Sequence, residues 1–234
     1  MSSVSFSLII PCYDEGPTFE ASVKKIISSL KKLKIPWEII FVEDKSKDET
    51  AKKVENIVKK FENTRAIFHH KNFGRGKTVN DGIFAAKGKI CGYLDVDLEI
   101  SESYIPLFIK EVENGSDMVV GKRFYEVSAK SIMRFVASKF YSNLVRAFLK
   151  LEIEDTEAGY KFFRRSKILP VLRKTKDKGW FWDTEICLRA SRAGLVLGQI
   201  PVLFIRRPDK KSTVKLIPDT VNYLFKIIRF SQSN

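Results

Sequence analysis

Cysteine, proline and long apolar runs are scarce in this sequence, and each scarcity excludes something. Three cysteines in 234 residues (12, 91 and 187), with no C-x-x-C spacing, encode neither a disulfide framework nor a zinc knuckle. Only 8 prolines, with 44% hydrophobic and 30% charged residues, exclude a disordered chain. No apolar run approaches the ~18–20 residues that a membrane span needs. No cationic region precedes the first apolar run, so no secretory signal is expected. These absences predict a soluble protein of a reducing compartment, long enough for one domain with a sizeable core.

Positive charge is abundant, and its position is informative. The chain has 42 Lys+Arg against 28 Asp+Glu, a net +14. Residues 1–119 carry 18 of each sign, so residues 120–234, with 24 basic and 10 acidic, supply the whole excess. A neutral half joined to a basic half suggests two tasks on one scaffold, the basic one meeting nucleic acid, anionic lipid headgroups or a phosphorylated substrate. A merely solubilising surface would scatter the charge.

Strand and helix patterns alternate through the first half. Short apolar runs at Ser7–Pro11, Glu38–Val42, Ala66–Phe68, Ile90–Leu94 and Met118–Val120 read as buried strands. Helical periodicity separates them at Phe19–Leu33, Thr50–Phe61, Thr78–Ala86 and Tyr104–Val112. Such alternation predicts an α/β fold with a mainly parallel, doubly wound sheet flanked by helices. The second half is less regular: an amphipathic helix at 139–150, a strand at Tyr160–Phe163, a helix at Thr184–Ala193, a strand or strand pair at Val196–Ile205, and a last amphipathic segment at Val221–Phe230. The whole chain reads as a single domain, 1–121 forming one half and the basic 122–234 the other.

In open α/β sheets, ligands bind at the carboxyl ends of strands. Acidic residues stand there three times: Asp14-Glu15 after the first strand, Glu43-Asp44 after the second, and Asp95-Val96-Asp97-Leu98-Glu99 after the fourth. Carboxylates gathered on one edge repel unless a cation or hydrogen-bond donors lie between them. The D-V-D segment suits a hard divalent ion such as Mg²⁺ or Mn²⁺, which binds carboxylate oxygens and keeps room for phosphates.

The segments I-I-P-C-Y-D-E-G, V-E-D-K-S-K-D-E-T, K-N-F-G-R-G-K, Y-L-D-V-D-L-E, V-V-G-K-R-F, D-T-E-A-G-Y-K-F-F and W-D-T-E-I-C-L-R-A follow one another in family order, within a match that runs from about Ser7 to Leu216. On them the chain resembles the family 2 glycosyltransferases of GT-A fold, and within these the polyprenyl-phosphate hexosyltransferases, the dolichyl-phosphate glucose and mannose synthases. The resemblance implies a nucleotide-sugar donor held by Pro11, Tyr13, Glu15, Val42 and Asp44, with Asp95 and Val96 beside it. It implies a metal held by Asp95 and Asp97, with Glu99 where the family usually has Gln. Arg123 matches the family's G-S-R and is a candidate phosphate clamp, since guanidinium fits phosphate oxygens in bidentate fashion. Asp155 opens the segment beside the acceptor. Asp183 and Glu185 match F-[DE]-x-E and either orient the site or favour a helix N-terminus. Asp44 has a competing reading as a helix cap, and Asp155 as a loop carboxylate. His69 and His70 are given no role.

Two departures bear on this reading. The family's D-D-G-S is Glu43-Asp44-Lys45-Ser46 here, without a glycine that an unusual backbone angle would favour. The basic tail R-x-x-G-x-S-K becomes Arg207-Pro208-Asp209-Lys210-Lys211-Ser212-Thr213, without the lysine after serine, so that Arg207 is joined by Lys211 or Lys215 as the implied phosphate ligand.

The implied activity is metal-dependent, inverting transfer of a hexose to a polyprenyl phosphate. Glucose from UDP-glucose is favoured, with mannose from GDP-mannose as the variant. The basic helices imply peripheral contact with an anionic membrane at its cytoplasmic face. Transfer to a sugar hydroxyl, with Asp155 as base, is the alternative within the family. A nucleic-acid-binding protein is the alternative from another class; the chain has no RNP, zinc-finger or recognition-helix pattern, and no nucleic-acid partner is expected.

Overall fold

In the computed structural model the described residues are 4–125 and 153–207, together with Tyr223, Phe225, Lys226, Ile227, Arg229 and Phe230. Strands β1 (Phe6–Cys12), β2 (Trp37–Glu43), β3 (Thr64–Phe68), β4 (Ile90–Leu94), β5 (Met118–Tyr125), β6 (Tyr160–Arg164) and β7 (Leu197–Phe204) form one sheet in the order β3-β2-β1-β4-β6-β5-β7. β1 pairs in parallel with β2 and β4, β2 with β3, and β5 with β7, while β6 runs antiparallel to both β4 and β5. The mainly parallel sheet expected from the sequence is therefore present, with one reversed strand inserted at its centre. The connection from β5 to β6 crosses the undescribed residues 126–152.

Helices α1 (Phe19–Lys31), α2 (Thr50–Lys60), α3 (Arg75–Ala85), α4 (Ile105–Glu113), α5 (Arg165–Leu172) and α6 (Trp182–Arg192) flank the sheet. Their apolar spacing decides which faces they bury. In α1, Phe19, Val23, Ile26, Ile27 and Leu30 recur on one arc and are buried, each contributing about 1.5–3 kcal/mol through apolar area removed from water. β1 is buried along its whole length, as a central strand covered on both faces must be. Aromatic contacts knit the reversed strand into the core: Phe162 stacks on Phe6 at 5.3 Å, and Phe108 of α4 meets Tyr160 at 4.7 Å.

Two element boundaries depart from the sequence pattern. α3 begins at Arg75 instead of residue 78, because Gly74 adopts φ +94° and lets the chain turn directly into the helix. α5 is not apparent in the pattern. Its Pro170 lies inside the helix and interrupts the periodic reading, although Ile168, Val171 and Leu172 are buried as a helix requires. The helix expected at 139–150 lies outside the described residues, as does most of Val221–Phe230. Of that last segment, Ile227 and Phe230 are buried and Phe225 is 68% exposed.

Candidate active site

The ends of β1 and β2 are joined through side-chain oxygens and backbone N–H groups. Asp14 N–H donates to Ser46 Oγ at 3.1 Å, Glu15 N–H to Thr50 Oγ1 at 2.9 Å and Gly16 N–H to Asp48 Oδ2 at 3.1 Å; Lys47 N–H donates back to Asp14 Oδ1 at 2.6 Å. Pro11 lies within buried β1, and Val42 is fully buried in β2. Tyr13 is 36% exposed at the rim, and its N–H donates to Glu15 Oε1 at 3.3 Å.

At the position of the missing glycine, Lys45 takes φ +61°. That left-handed conformation costs a side-chain-bearing residue about 1–2 kcal/mol. Buried Glu43 compensates by accepting the N–H groups of both Lys45 and Ser46. The lost glycine thus leaves the turn in place.

Asp44 is 2% exposed and holds the K-N-F-G-R-G loop. It accepts from Phe73 N–H and Gly74 N–H, both at 2.8 Å, and its Oδ1 lies 2.7 Å from His69 Nδ1. The other ring nitrogen of His69 is 3.0 Å from Asp81 Oδ2. The cap reading does not apply, since these partners belong to the 69–74 segment and not to the helix at Thr50. His69, assigned no role from sequence, bridges two carboxylates that lie 37 positions apart in the chain, a pairing with no local signature.

The centre of the sheet edge carries a chain of alternating charges. Asp95 Oδ1 accepts from Arg75 Nη2 at 2.7 Å, and Arg75 Nη1 donates to Asp183 Oδ2. Asp183 Oδ1 accepts from Lys161 Nζ at 2.7 Å and from the Tyr93 hydroxyl; Lys161 also donates to Ala158 O at 2.6 Å. Asp183 and Lys161 are wholly enclosed, at 2% and 0% exposure. Two carboxylates and two cations cancel, as a buried ionic group must. Burial opposes the Arg75 charge, but Asp183 and Asp95 outweigh it and hold the guanidinium above its ordinary range. Burial and Asp183 push the Tyr93 phenol well up, so it remains a donor. Arg75, present in a quoted motif but not named as a site residue, is the link of this chain.

Gly159 explains its place in D-T-E-A-G-Y. A Cβ built there would stand 1.8 Å from Asp95 Oδ2, while Asp95 N–H donates to Gly159 O at 3.1 Å. The D-T-E-A-G-Y segment therefore cradles the first aspartate of D-V-D, and any other residue would displace it.

Arg123 and Asp155 form a bidentate pair: Nε to Oδ2 at 2.7 Å and Nη2 to Oδ1 at 2.9 Å, with Arg123 N–H adding a third bond at 3.1 Å. The guanidinium lies 5.8 Å from the Tyr125 ring centroid and 5.7 Å from that of Phe204. Burial would raise the Asp155 carboxyl, but the charge and hydrogen bonds of Arg123 prevail and hold it below the usual range. Glu157, its side chain half-exposed, lies 3.8 Å from Arg123; partial desolvation and then Asp155 raise its carboxyl against the pull of that guanidinium.

Glu185 does not join Asp183. Two residues further along α6, about half a turn round, it faces the 176–177 loop, accepting Lys176 N–H at 3.0 Å, Asp177 N–H at 2.7 Å and Arg189 Nε at 2.7 Å. These contacts hold the 176–177 loop. Arg207 lies under the D-V-D turn: its N–H donates to Glu99 Oε1 at 3.1 Å and its Nη1 to Thr18 Oγ1 at 3.0 Å. Lys211 and Lys215 are outside the described residues. Val96 is buried at 2% exposure.

Among the described residues, no three His, Cys, Asp or Glu side chains gather closely enough to hold a metal ion. In this structure Glu99 is engaged by the chain itself. Leu98 turns the chain at φ +56°, and Glu99 takes the Arg207 N–H. Two hard carboxylates at a strand end still fit Mg²⁺ or Mn²⁺, which commonly binds one or two carboxylates and completes its shell with water and phosphate. The Asp95 carboxyl is pushed above its ordinary range by enclosure, against the pull of Arg75, and then by Asp97. A cation between the two carboxylates would relieve that repulsion.

This sheet, with a D-x-D at the carboxyl end of its central parallel strand, defines a GT-A glycosyltransferase. A glucosyl-3-phosphoglycerate synthase from Mycobacterium tuberculosis, solved with Mg²⁺ and UDP, matches with TM-score 0.71 at 17% identity over 96% of this chain and 79% of that one, which speaks to the fold alone. Residues 7–170 match the family model Glycosyl transferase family 2, and the chain belongs to that family of enzymes. It is 30% identical to Glycosyltransferase AglD of Haloferax volcanii over 97% of this chain and 37% of that protein, so it spans little more than a third of that relative's length. It is 28% identical to a dolichyl-phosphate beta-glucosyltransferase of Trichomonas vaginalis over 98% of this chain and 74% of that protein.

Proposed function

We propose that the protein transfers a hexose, with inversion, from a nucleotide-sugar to a polyprenyl phosphate, glucose from UDP-glucose being favoured over mannose from GDP-mannose. The observation that carries this reading is the Arg123–Asp155 pair. The carboxylate a hydroxyl acceptor would need as base is tied by three hydrogen bonds to a guanidinium and held below its usual range. A phosphate monoester needs no such base, because its second ionisation lies near pH 6. It needs positioning and charge neutralisation, which a guanidinium fork supplies. The similarity to a protein named dolichyl-phosphate beta-glucosyltransferase, along nearly the whole chain, supports the same acceptor class.

In this reading the β1–β2 end holds the nucleotide, with Tyr13 at the rim and Asp44 keeping the 73–74 turn in place. Asp95 and Asp97 hold Mg²⁺ or Mn²⁺, which when bound neutralises the departing diphosphate. Asp155 is a positioning residue that presents Arg123 to the acceptor phosphate, and Arg207 lies close enough to the D-V-D turn to assist. Asp183 fixes Arg75 and does not touch substrate. Among the described residues no helix is long and apolar enough to cross a membrane; the reading places the chain peripherally on the cytoplasmic face, drawn by its basic half.

Glu157 favours a second reading. Half-exposed and 3.8 Å from Arg123, it stands beside Asp155 as a second carboxylate that would serve as base should the acceptor be a sugar hydroxyl. The test is radiolabelled hexose transfer from UDP-glucose and GDP-mannose, with Mn²⁺, to dolichyl phosphate and dolichol in parallel. Transfer to dolichyl phosphate alone is expected. Comparable transfer to dolichol would replace the proposal with the hydroxyl-acceptor reading.

A further inference from the structure

We propose that the cleft between α3 and the 173–178 segment is a second phosphate-binding site, apart from the transfer site, for a phosphate monoester that carries an apolar group. A cavity of about 260 Å³ opens there. Lys77, Asp81 and Phe84 of α3 line one side, and Arg173, Lys176 and Lys178 line the other. Asn80 ties the two sides together: its Nδ2 donates to Thr175 Oγ1 and its Oδ1 accepts from Trp182 Nε1, both at 3.0 Å. The backbone of the segment is fixed as well. Glu185 accepts the N–H groups of Lys176 and Asp177, and Lys178 O accepts that of Lys77 at 3.3 Å. The cavity is thus largely formed before any ligand arrives, which lowers the cost of binding.

Charge decides what the cavity can hold. Its two carboxylates are already engaged, Asp81 by Lys77 and His69, and Asp177 by Lys226. The side chains of Arg173, Lys176 and Lys178 have no hydrogen bond or ion pair among the described residues. Three unpaired cations around one concavity repel each other, and an anion placed among them relieves that repulsion. A phosphate monoester, close to a dianion at neutral pH, matches this charge better than a single carboxylate does. The Arg173 guanidinium can take two phosphate oxygens, and the two ammonium groups supply point charges. The remaining lining is apolar: Leu172 is buried and Phe84 presents an exposed ring. That surface favours an organic phosphate over the bare ion. None of these side chains belongs to the donor, cation or acceptor groups of the transfer site. Part of the positive excess of the second half, R-K-T-K-D-K at 173–178, is thereby given a ligand.

The experiment titrates the full chain with inorganic phosphate and with phenyl phosphate by calorimetry. Phenyl phosphate should bind about threefold to tenfold more tightly than inorganic phosphate, the range of one aromatic contact. The triple variant Arg173→Gln, Lys176→Gln, Lys178→Gln should weaken phenyl phosphate at least about tenfold, as the loss of charge-assisted hydrogen bonds requires. Phe84→Ser should abolish the preference for phenyl phosphate and leave inorganic phosphate unchanged. Arg123→Gln, altered in the transfer site, should keep the binding that the triple variant loses. The three cations are exposed and unpaired, so their replacement should leave the fold intact; Arg173→Gln alone should show part of the loss. Co-sedimentation with phosphatidic acid and phosphatidylcholine vesicles separates two sources of such a phosphate. Retention on phosphatidic acid that the triple variant loses identifies a lipid headgroup. Soluble binding lost in the triple variant, with vesicle retention unchanged, identifies a free phosphate ester. Equal behaviour of the triple variant and the unaltered protein in both assays overturns the proposal, as does binding lost in Arg123→Gln and kept in the triple variant.

Discussion

At the ends of β1 and β2 the carboxylates of Asp14, Glu43, Asp44 and Asp48 are held by backbone N–H groups, whereas at the end of β5 the carboxylate of Asp155 is held by the guanidinium of Arg123. The first arrangement keeps its negative charge and fixes it rigidly, because peptide dipoles stabilise an anion without cancelling it. The second brings the pair close to neutrality and offers a fork whose partner an incoming phosphate can compete for. In the proposed reading the first edge receives hydroxyl donors and a cation, the other an anion. Between them the Asp95–Arg75–Asp183–Lys161 chain joins the D-V-D turn to the segment that leads into β6.

This contrast can be broken by experiment, and the largest effect is expected at its centre. Asp97→Ala should abolish transfer with the fold retained, and EDTA should do the same to the unaltered protein; wild-type transfer in either case removes the cation from the β4 end. Gly159→Ala should lower kcat about 100-fold, the usual cost of a displacement near 1 Å, since its methyl group falls on Asp95. A near-normal rate would show that Asp95 has freedom the geometry denies it.

The anion-receiving edge sets the next test. Arg123→Lys should lower kcat/KM for the acceptor by about 10–100-fold, corresponding to roughly 1.5–3 kcal/mol for a charge-assisted pair, with donor KM unchanged. Between pH 5 and 8 the rate should rise with the acceptor's ionisation near pH 6. Asp155, depressed below the usual carboxylate range, stays ionised throughout and should add no inflection. A shift of the profile in Asp155→Asn would contradict the positioning role.

Smaller effects belong to the scaffold. Buried Glu38 accepts from Ser7 Oγ at 2.6 Å, Arg65 Nε at 2.8 Å and Lys87 N–H at 2.8 Å, and although burial alone would raise its carboxyl, these bonds hold it below its ordinary range. A depressed folded-state pKa contributes stability above the unfolded value and loses it as pH falls through the folded one. Glu38→Gln should therefore cost about 1–3 kcal/mol at pH 7 and progressively less below pH 4.5, as thermal unfolding across pH would show. Lys45→Gly should raise stability slightly, by less than about 1 kcal/mol, since relief of the left-handed strain is partly offset by a freer unfolded chain.

Much of this molecule was legible in one dimension. Runs such as Glu38–Val42 and the arc Phe19–Leu30 announce strand and helix because burial on two faces or on one imposes a period on the residues themselves. The D-V-D turn was legible for the same local reason: Asp95 and Asp97 directly follow the apolar run of β4. The antiparallel insertion of β6 was not, since a fully buried strand reads alike in either direction. α5 was hidden by Pro170, and the roles of Glu185 and Glu99 by partners outside their own segments.

The sequence by itself determined the α/β alternation, the acidic strand ends and the uneven charge, since each is a property of neighbouring residues. Only the tertiary structure decided that Arg75 bridges Asp95 and Asp183, that His69 joins Asp44 to Asp81, that Gly159 makes room for a carboxylate 64 positions earlier, and that Arg123 is already paired with Asp155. Those are choices among many possible ion pairs, made when folding removes water and leaves each buried charge to the partners within its reach.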